Sequence, residues 1–448
     1  MIPFVSGRAE VHGCFDWLDS LVSRGMSPGL ERIAALCSSL GKPERKFPSV
    51  LVAGTNGKGS TAATLDSILR AAGYRTGFYS SPHLIRVTER LRLGGEEVAK
   101  DRLAEALSAV RRVATGGASP AASEATYFEA LTAAAFLILA EERVDVAILE
   151  VGLGGRCDAT NLAPAIASIL TPVSIDHTFQ LGTTAGEIAR EKAGILKIDR
   201  LSISAPQSPE ALAVIRKVAE AVRSPLQVLD PLSLSDISTS MTGTRFVFDS
   251  GAGRLELETP LAGRHQATNA GVAVLAAKAL GSIGYSNVDT GSLVRGVRQT
   301  RWPGRLDRQI VDGRTYLIDG CHNPDGAAST AEFLVEAGIA GGMILVLGVL
   351  ADKDAAGIAA PLVRAAKSVV ATRPHSERAR GEIELAGMIR DVSPETKIDC
   401  EPELERALER ARELAGPGDV ILVAGSLVLA GEALRWIERT GHAAEVSG

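Results

Sequence analysis

From residue 49 onward, short runs of Val, Ile and Leu alternate with longer stretches whose apolar residues recur at helical spacing. That alternation predicts a parallel sheet covered by helices on both faces. Candidate strands fall at 50–54, 76–80, 144–151, 166–171 and 201–205. Thr244-Arg245-Phe246-Val247-Phe248 and Arg254-Leu255-Glu256-Leu257 flank Asp249-Ser250-Gly251 and predict a hairpin appended to this core. A helix is predicted over 266–280. Then Thr300-Arg301-Trp302-Pro303-Gly304-Arg305 breaks the periodicity, and a second alternating series follows at 316–319, 343–347, 368–371 and 420–424. The pattern therefore predicts two α/β domains, residues 1–300 and 301–448, hinged at the break.

The first candidate strand runs straight into Gly54-Thr55-Asn56-Gly57-Lys58-Gly59-Ser60, and a helix-compatible stretch follows. Small residues let backbone N–H groups turn onto phosphate oxygens, the helix presents its positive end, and Lys58 can reach the terminal phosphates. The general phosphate-loop pattern is met imperfectly. Its first glycine would fall at Val52, and Gly59 stands where a hydroxyl residue should follow the lysine. An ordinary glycine turn needs neither Lys58 nor three glycines, so nucleotide binding is the reading adopted. The fold class expected is thus a doubly wound sheet of the phosphate-loop ATPase kind with a small β hairpin region, plus a C-terminal Rossmann-like α/β domain.

Composition narrows the function classes without naming one. Hydrophobic residues are 46% and aromatics only 4%, so aliphatic side chains must do the packing. The net charge of −5 and the lack of a basic block argue against a nucleic-acid scaffold. Cys14, Cys37, Cys157, Cys321 and Cys400 are widely spaced, with no CxxC pair, which points to a reducing cytoplasm. Met1-Ile2-Pro3-Phe4 does not read as an export leader, and no apolar run is long enough for a membrane span.

Open α/β sheets bind ligands beyond the carboxyl ends of their strands. Glu150 ends one strand and is followed by Gly152-Leu153-Gly154-Gly155-Arg156-Cys157-Asp158-Ala159. A dinucleotide reading of these glycines is weak, because no helix obviously follows and a carboxylate at the strand tip suits a magnesium ion better. Asp176-His177, Glu191-Lys192 and Asp319-Gly320-Cys321-His322 also follow apolar runs. Taken singly, such residues are more often solvated or turn-forming than catalytic.

Together the segments resemble the folylpolyglutamate synthase and dihydrofolate synthase family, relatives of the Mur ligases. The resemblance runs through GTNGKGS at 54–60, SSPHL at 80–84, TYFEALTAAAF at 126–136, LEVGLGGRCDATN at 149–161, DHTFQLG at 176–182, EKAGI at 191–195, PGR at 303–305, DGCHNP at 319–324 and DKD at 352–354. It implies an ATP-dependent amide ligase that joins L-glutamate to dihydropteroate and to folates through an acyl phosphate. The alternative within the family is polyglutamylation alone. A regulatory protein that has lost catalysis would be expected to lack Lys58, Glu150 or His177, and an NAD-dependent oxidoreductase would bind NAD in place of ATP.

The roles the resemblance implies are these. Thr55, Asn56, Gly57, Lys58, Gly59 and Ser60 form the phosphate cradle, and Asn269, Arg305 and Asp319 complete ATP binding. Ser81 and Glu150 hold one Mg²⁺ and His177 a second, with Lys192 carbamylated by CO₂ to help hold it. His322 lies near the γ-phosphate. Thr126, Tyr127, Phe128, Glu129, Cys157, Asp158 and Ala159 take the pterin. Cys157 and Cys321 depart from the residues usual there and read as packing changes. In Met26-Ser27-Pro28-Gly29-Leu30-Glu31-Arg32, the turn that resembles the family's folate-contacting turn, Ser27 and Pro28 replace an Asp-Leu pair associated with dihydropteroate use. ATP is expected between the two domains. The protein is expected to act as a cytoplasmic monomer on small molecules, without nucleic-acid or membrane partners.

Overall fold

The computed structural model describes residues 8–446 apart from Ala118 and Ala252, so the reading of the N-terminal tetrapeptide lies outside the described residues. Contacts divide the chain into two units, Met1–Pro231 with Asn269–Val297, and Leu232–Thr268 with Arg298–Gly448.

In the first unit the strands are β1 (Ser49–Ala53), β2 (Thr76–Tyr79), β3 (Leu91–Leu93), β4 (Glu96–Glu97), β5 (Val146–Glu150), β6 (Ala167–Leu170), β7 (Leu201–Ser204) and β8 (Leu226–Val228). They form one sheet in the order β4-β3-β2-β5-β1-β6-β7-β8. From β2 to β8 every neighbouring pair is parallel, while β3 and β4 close one edge antiparallel. Strands β1 and β5 are buried along their whole length, which is why they read as continuous apolar runs instead of alternating ones. Leu51, Leu149 and Leu170 are fully buried, and truncating any of them to Ala would cost about 2–5 kcal/mol.

Strand β1 lies between β5 and β6 in this order, so the chain winds away from it in two directions. That is the switch point at which an open α/β sheet leaves a crevice. Because the strands are parallel, the segments that follow β1, β2, β5 and β6 all emerge at the same edge of the sheet. The helix Lys58–Ala71 packs back on β1, β2 and β5.

The second unit holds two sheets among the described residues. The expected hairpin is a three-stranded antiparallel sheet: β9 (Leu234–Ser240), β10 (Gly243–Asp249) and β11 (Arg254–Thr259), with β10 central. Strand β9, Leu-Ser-Asp-Ile-Ser-Thr-Ser, carries only Leu234 and Ile237 as apolar residues, too weak an alternation to announce itself. The larger sheet has the order β12 (Asp307–Val311), β13 (Arg314–Ile318), β17 (Val420–Ala424), β14 (Met343–Leu347), β15 (Ser368–Ala371) and β16 (Ile398–Cys400). Strand β12 is antiparallel to β13 and the others are parallel. The predicted central strands are all present. The two edge strands β12 and β16 were not legible, because an edge strand can be polar along much of its length.

Candidate active site

The loop after β1 is fixed before any ligand arrives. Gly54 has φ +154, and a Cβ there would overlap Thr171 Oγ1. Gly57, the residue capping the helix Lys58–Ala71, has φ +84, and a Cβ there would overlap Asn269 Oδ1. Both positions demand glycine for conformation and for space. We expect Gly54→Ala to cost about 3 kcal/mol through backbone strain and overlap, measured as a lowered thermal midpoint. An unchanged midpoint would show that Thr171 gives way.

The backbone N–H groups of Thr55 and Asn56 donate to the Pro172 carbonyl at 2.9 and 3.3 Å. The Thr55 hydroxyl exchanges hydrogen bonds with the Ser174 backbone, 3.0 Å each way. This half of the loop is therefore braced on the segment after β6 and is not turned wholly toward a ligand, as the sequence reading had it. The first turn of the helix, Lys58, Gly59 and Ser60, presents N–H groups that have no intrahelical acceptor and can donate to an anion. Lys58 Nζ donates to the Thr55 carbonyl at 3.1 Å, which folds the side chain back over the loop.

Lys192, on the helix Ala185–Ala193, is not a solvated surface lysine. It is 5% exposed, and its Nζ donates to the Gly54 carbonyl at 2.7 Å. Burial above all, and then the Lys58 ammonium, push its pKa down to about 7, while Asp176 and Asp158 oppose the shift. Two lysines far apart in sequence thus meet at the loop after β1, where the Lys58 ammonium makes a charge on Lys192 more costly.

Glu150 ends β5 beside Val52 of β1 and is buried. Ser81 follows β2, the other neighbour of β5, and its Oγ is buried with no hydrogen-bond partner among the described residues. His177 sits in the left-handed region at φ 51, ψ 42, with Nε2 3.9 Å from Asp176 Oδ2. No group of three or more His, Cys, Asp or Glu among the described residues could hold a metal by itself. One hydroxyl and one carboxylate at adjacent strand ends form too sparse a set for a caged ion. They fit Mg²⁺, which keeps waters and takes substrate phosphate oxygens as ligands.

The loop after Glu150 is organised by Asp158. Its Oδ2 accepts from the Gly152 and Leu153 N–H groups at 3.0 Å each, and its Oδ1 accepts from the Thr160 N–H and hydroxyl at 3.0 and 2.5 Å. Burial pushes its pKa up while these hydrogen bonds pull it down. Four local donors thus occupy the carboxylate that the sequence reading offered to a pterin. Asn161 Nδ2 reaches the Arg156 and Gly194 carbonyls at 3.0 and 3.2 Å, and the Arg156 N–H reaches the Glu191 carbonyl at 2.9 Å. These bonds couple the loop bearing Cys157, Asp158 and Ala159 to the turn that follows Lys192. Cys157 is half-buried and Ala159 is buried.

Thr126 and Glu129 form a reciprocal capping box at the start of the helix Tyr127–Glu141. Phe128 lies against the Gly152 position, where a Cβ would come within 2.8 Å of its ring. Tyr127 carries the Arg90 guanidinium 5.5 Å over its ring. The first unit therefore gathers the phosphate loop, Lys192, Asn269, Glu150, Ser81 and the 126–129 and 152–159 segments at the edge where β1, β2 and β5 end.

Arg305, Asp319 and His322 belong to the second unit. Asp319, just after β13, is buried and accepts from the Leu306 and Cys321 N–H groups at 2.8 and 3.0 Å and from the Thr330 hydroxyl at 3.1 Å. His322 Nδ1 lies 2.9 Å from the Gly320 carbonyl. That contact requires the Nδ1–H tautomer and leaves Nε2 as the second ring nitrogen. Sequence reasoning passed over His265. Burial lowers its pKa, with Asp319 opposing and Arg305 adding to the lowering, so the imidazole lies within electrostatic reach of both groups. Its signal was the Gly263-Arg264-His265 run, which by itself looks like ordinary turn chemistry and in the structure opens the helix Arg264–Gly281.

Comparison with known proteins gives a consistent picture. A model of the Mur ligase middle domain matches residues 52–277, and one of the Mur ligase glutamate ligase domain matches residues 304–427. The chain is 32% identical over 414 residues to the dihydrofolate synthase/folylpolyglutamate synthase of Bacillus subtilis, covering 92% of this chain and 95% of that one. It is 36% identical over 416 residues to a probable bifunctional folylpolyglutamate synthase/dihydropteroate synthase of Halobacterium salinarum, covering 92% of this chain and 50% of the relative. The chain thus spans about half the length of that protein. Among solved structures, Mycobacterium tuberculosis folylpolyglutamate synthase complexed with ADP and AMPPCP superposes with a TM-score of 0.85 at 32% identity, covering 96% of this chain and 98% of that one.

Proposed function

Since this chain belongs to the dihydrofolate synthase/folylpolyglutamate synthase family of Mur ligases, we propose that it is an ADP-forming ligase that attaches L-glutamate to dihydropteroate and to folates. A carboxylate does not acylate an amine unaided. ATP transfers its γ-phosphoryl group to the acceptor carboxylate, giving an acyl phosphate and ADP, and the glutamate amine then displaces phosphate. The protein's part is to align the reactants and to offset negative charge as it accumulates.

The observation that carries this reading is the phosphate loop with Lys58 and the buried Lys192 at one point. In this reading the first turn of the helix Lys58–Ala71 binds phosphate through its N–H groups, and Lys58 pairs with the terminal phosphates. Ser81 and Glu150 would hold one Mg²⁺, with His177 and Lys192 on the side of a second. Bound there, magnesium would neutralise charge on the phosphates and on the attacking carboxylate. Phe128 offers a ring face to the pterin, and Asp158 shapes the loop presenting Cys157 and Ala159. Asn269, Arg305, Asp319 and His322 keep the nucleotide and γ-phosphate roles given above. A cytoplasmic monomer working on small molecules accords with this reading. No described helix is long and apolar enough to cross a membrane.

Ser27 and Pro28 favour a second reading, in which folates but not dihydropteroate are accepted. Mass spectrometry of reactions containing ATP, Mg²⁺ and glutamate decides between the two, with dihydropteroate and tetrahydrofolate offered separately. We expect a product one glutamate heavier from both. Product from tetrahydrofolate alone favours the second reading, and no product from either removes the ligase assignment.

A further inference from the structure

We infer that Arg32 is a positioning residue for the acceptor side of the site, bolting the turn at 25–30 to the segment that carries Phe128. The inference rests on the ligase reading above. Two arginines bracket this turn. Arg24 Nη1 donates to the Ser123 and Ala125 carbonyls at 2.7 and 2.8 Å. On the other side, Arg32 Nε donates to Glu129 Oε2 at 3.0 Å, and Arg32 Nη2 donates to the Ser27 carbonyl. One guanidinium therefore holds both the turn and the wall it leans on.

This pair is unlike the surface ion pairs of the chain. The Arg32 and Glu129 side chains are 14% and 5% exposed, and breaking such a pair leaves a charge buried without compensation. Glu129 Oε2 also accepts the Thr126 N–H and hydroxyl at 2.8 and 2.9 Å. The anchor point of Arg32 is thus the same oxygen that caps the helix Tyr127–Glu141. The other oxygen, Oε1, is buried with no hydrogen-bond partner among the described residues, so the carboxylate depends on the donors gathered at Oε2. Phe128, the residue before Glu129, meets the Gly152 position and shares its surroundings with Asp158. A continuous path runs from the turn through Arg32 and Glu129 to the ring proposed to face the pterin.

The turn itself has little packing to hold it. Met26 is 63% exposed, and Ser27 and Pro28 are exposed too. A segment with so few buried apolar contacts is expected to move unless polar anchors fix it. The planar fork of Arg32 points at two acceptors at once, a geometry that lysine cannot reproduce.

The test is equilibrium binding of tetrahydrofolate, with ATP binding and the thermal midpoint measured alongside, for Arg32→Gln, Arg32→Lys and Arg24→Gln. We expect Arg32→Gln to weaken tetrahydrofolate binding on the order of tenfold while ATP binding stays unchanged. Arg32→Lys should fall between it and the parent protein. Unchanged tetrahydrofolate affinity in Arg32→Gln would overturn the inference, and so would equal losses for tetrahydrofolate and ATP, which mark a general defect. If Arg32→Gln does not fold, Arg32→Lys and the exposed Arg24→Gln decide, and selective weakening of tetrahydrofolate binding is again the supporting result. Glutamate addition by the parent protein is scored separately. Its absence would sink the ligase reading, while the affinities still judge the positioning role of Arg32.

Discussion

Lys58→Ala is expected to lower turnover on the order of a thousandfold, the size of effect seen when a preorganised charge or donor is removed from a developing anion. The fold should survive, because the helix Lys58–Ala71 starts on backbone geometry set by Gly57 and the lysine side chain donates to its own loop, at the Thr55 carbonyl. The loss would have a second component. The Lys58 ammonium is one of the two causes holding Lys192 down at about 7, so its removal should raise the Lys192 pKa and leave more of that side chain protonated. Phosphate release measured beside circular dichroism checks the prediction. Normal turnover in a folded Lys58→Ala protein would demote the loop to a structural turn.

Lys192→Ala is expected to cost on the order of a hundredfold or more in turnover, partly restored by acetate. The argument starts from the side chain as found. An ammonium that is buried, faces Lys58 and has a pKa near 7 is neutral in a large fraction of molecules at neutral pH. A neutral amine can attack CO₂, forming the N–C bond and releasing a proton, so that a cation becomes a carbamate anion. Protonation blocks this. The reactive fraction therefore grows as pH rises through about 7 and vanishes below it, and activity should follow the same limb. ¹³C-labelled bicarbonate should give a carbamate resonance that is lost in Lys192→Ala. Absence of that resonance, with turnover indifferent to CO₂ and to the substitution, would remove the carbamate from the mechanism.

Much of the molecule was legible because its signals are local. The central strands of both sheets are continuous apolar runs between helical stretches, since strands buried on both faces leave no polar alternation to confuse them. The glycine loop after β1 was legible for the same reason: Gly54, Gly57 and Lys58 lie within one strand-turn-helix, and the structure gives both glycines the positive φ that the turn requires. Strands β3, β4, β8, β9, β12 and β16 escaped because short or edge segments need not be apolar on either face.

The amino-acid sequence by itself determined the alternation of strands and helices, the glycine loop on β1 and the carboxylate at the tip of β5. Periodicity and turn chemistry act over a few residues, so they can be read without knowing what lies opposite. Tertiary structure alone decided that Lys192 would give its hydrogen bond to Gly54, 138 residues away, and that Arg32 would find Glu129, 97 residues away. It also decided that Asp158 would spend its oxygens on its own loop. Each of these residues has an ordinary solvated form with the same sequence around it. Burial and the partner across the fold set its charge, its donors and hence its chemistry: parallel strands bring the loops around Gly54, Asp158 and Lys192 to one edge of the sheet, while the packing of the helix Glu31–Ser39 on the helix Tyr127–Glu141 brings Arg32 to Glu129.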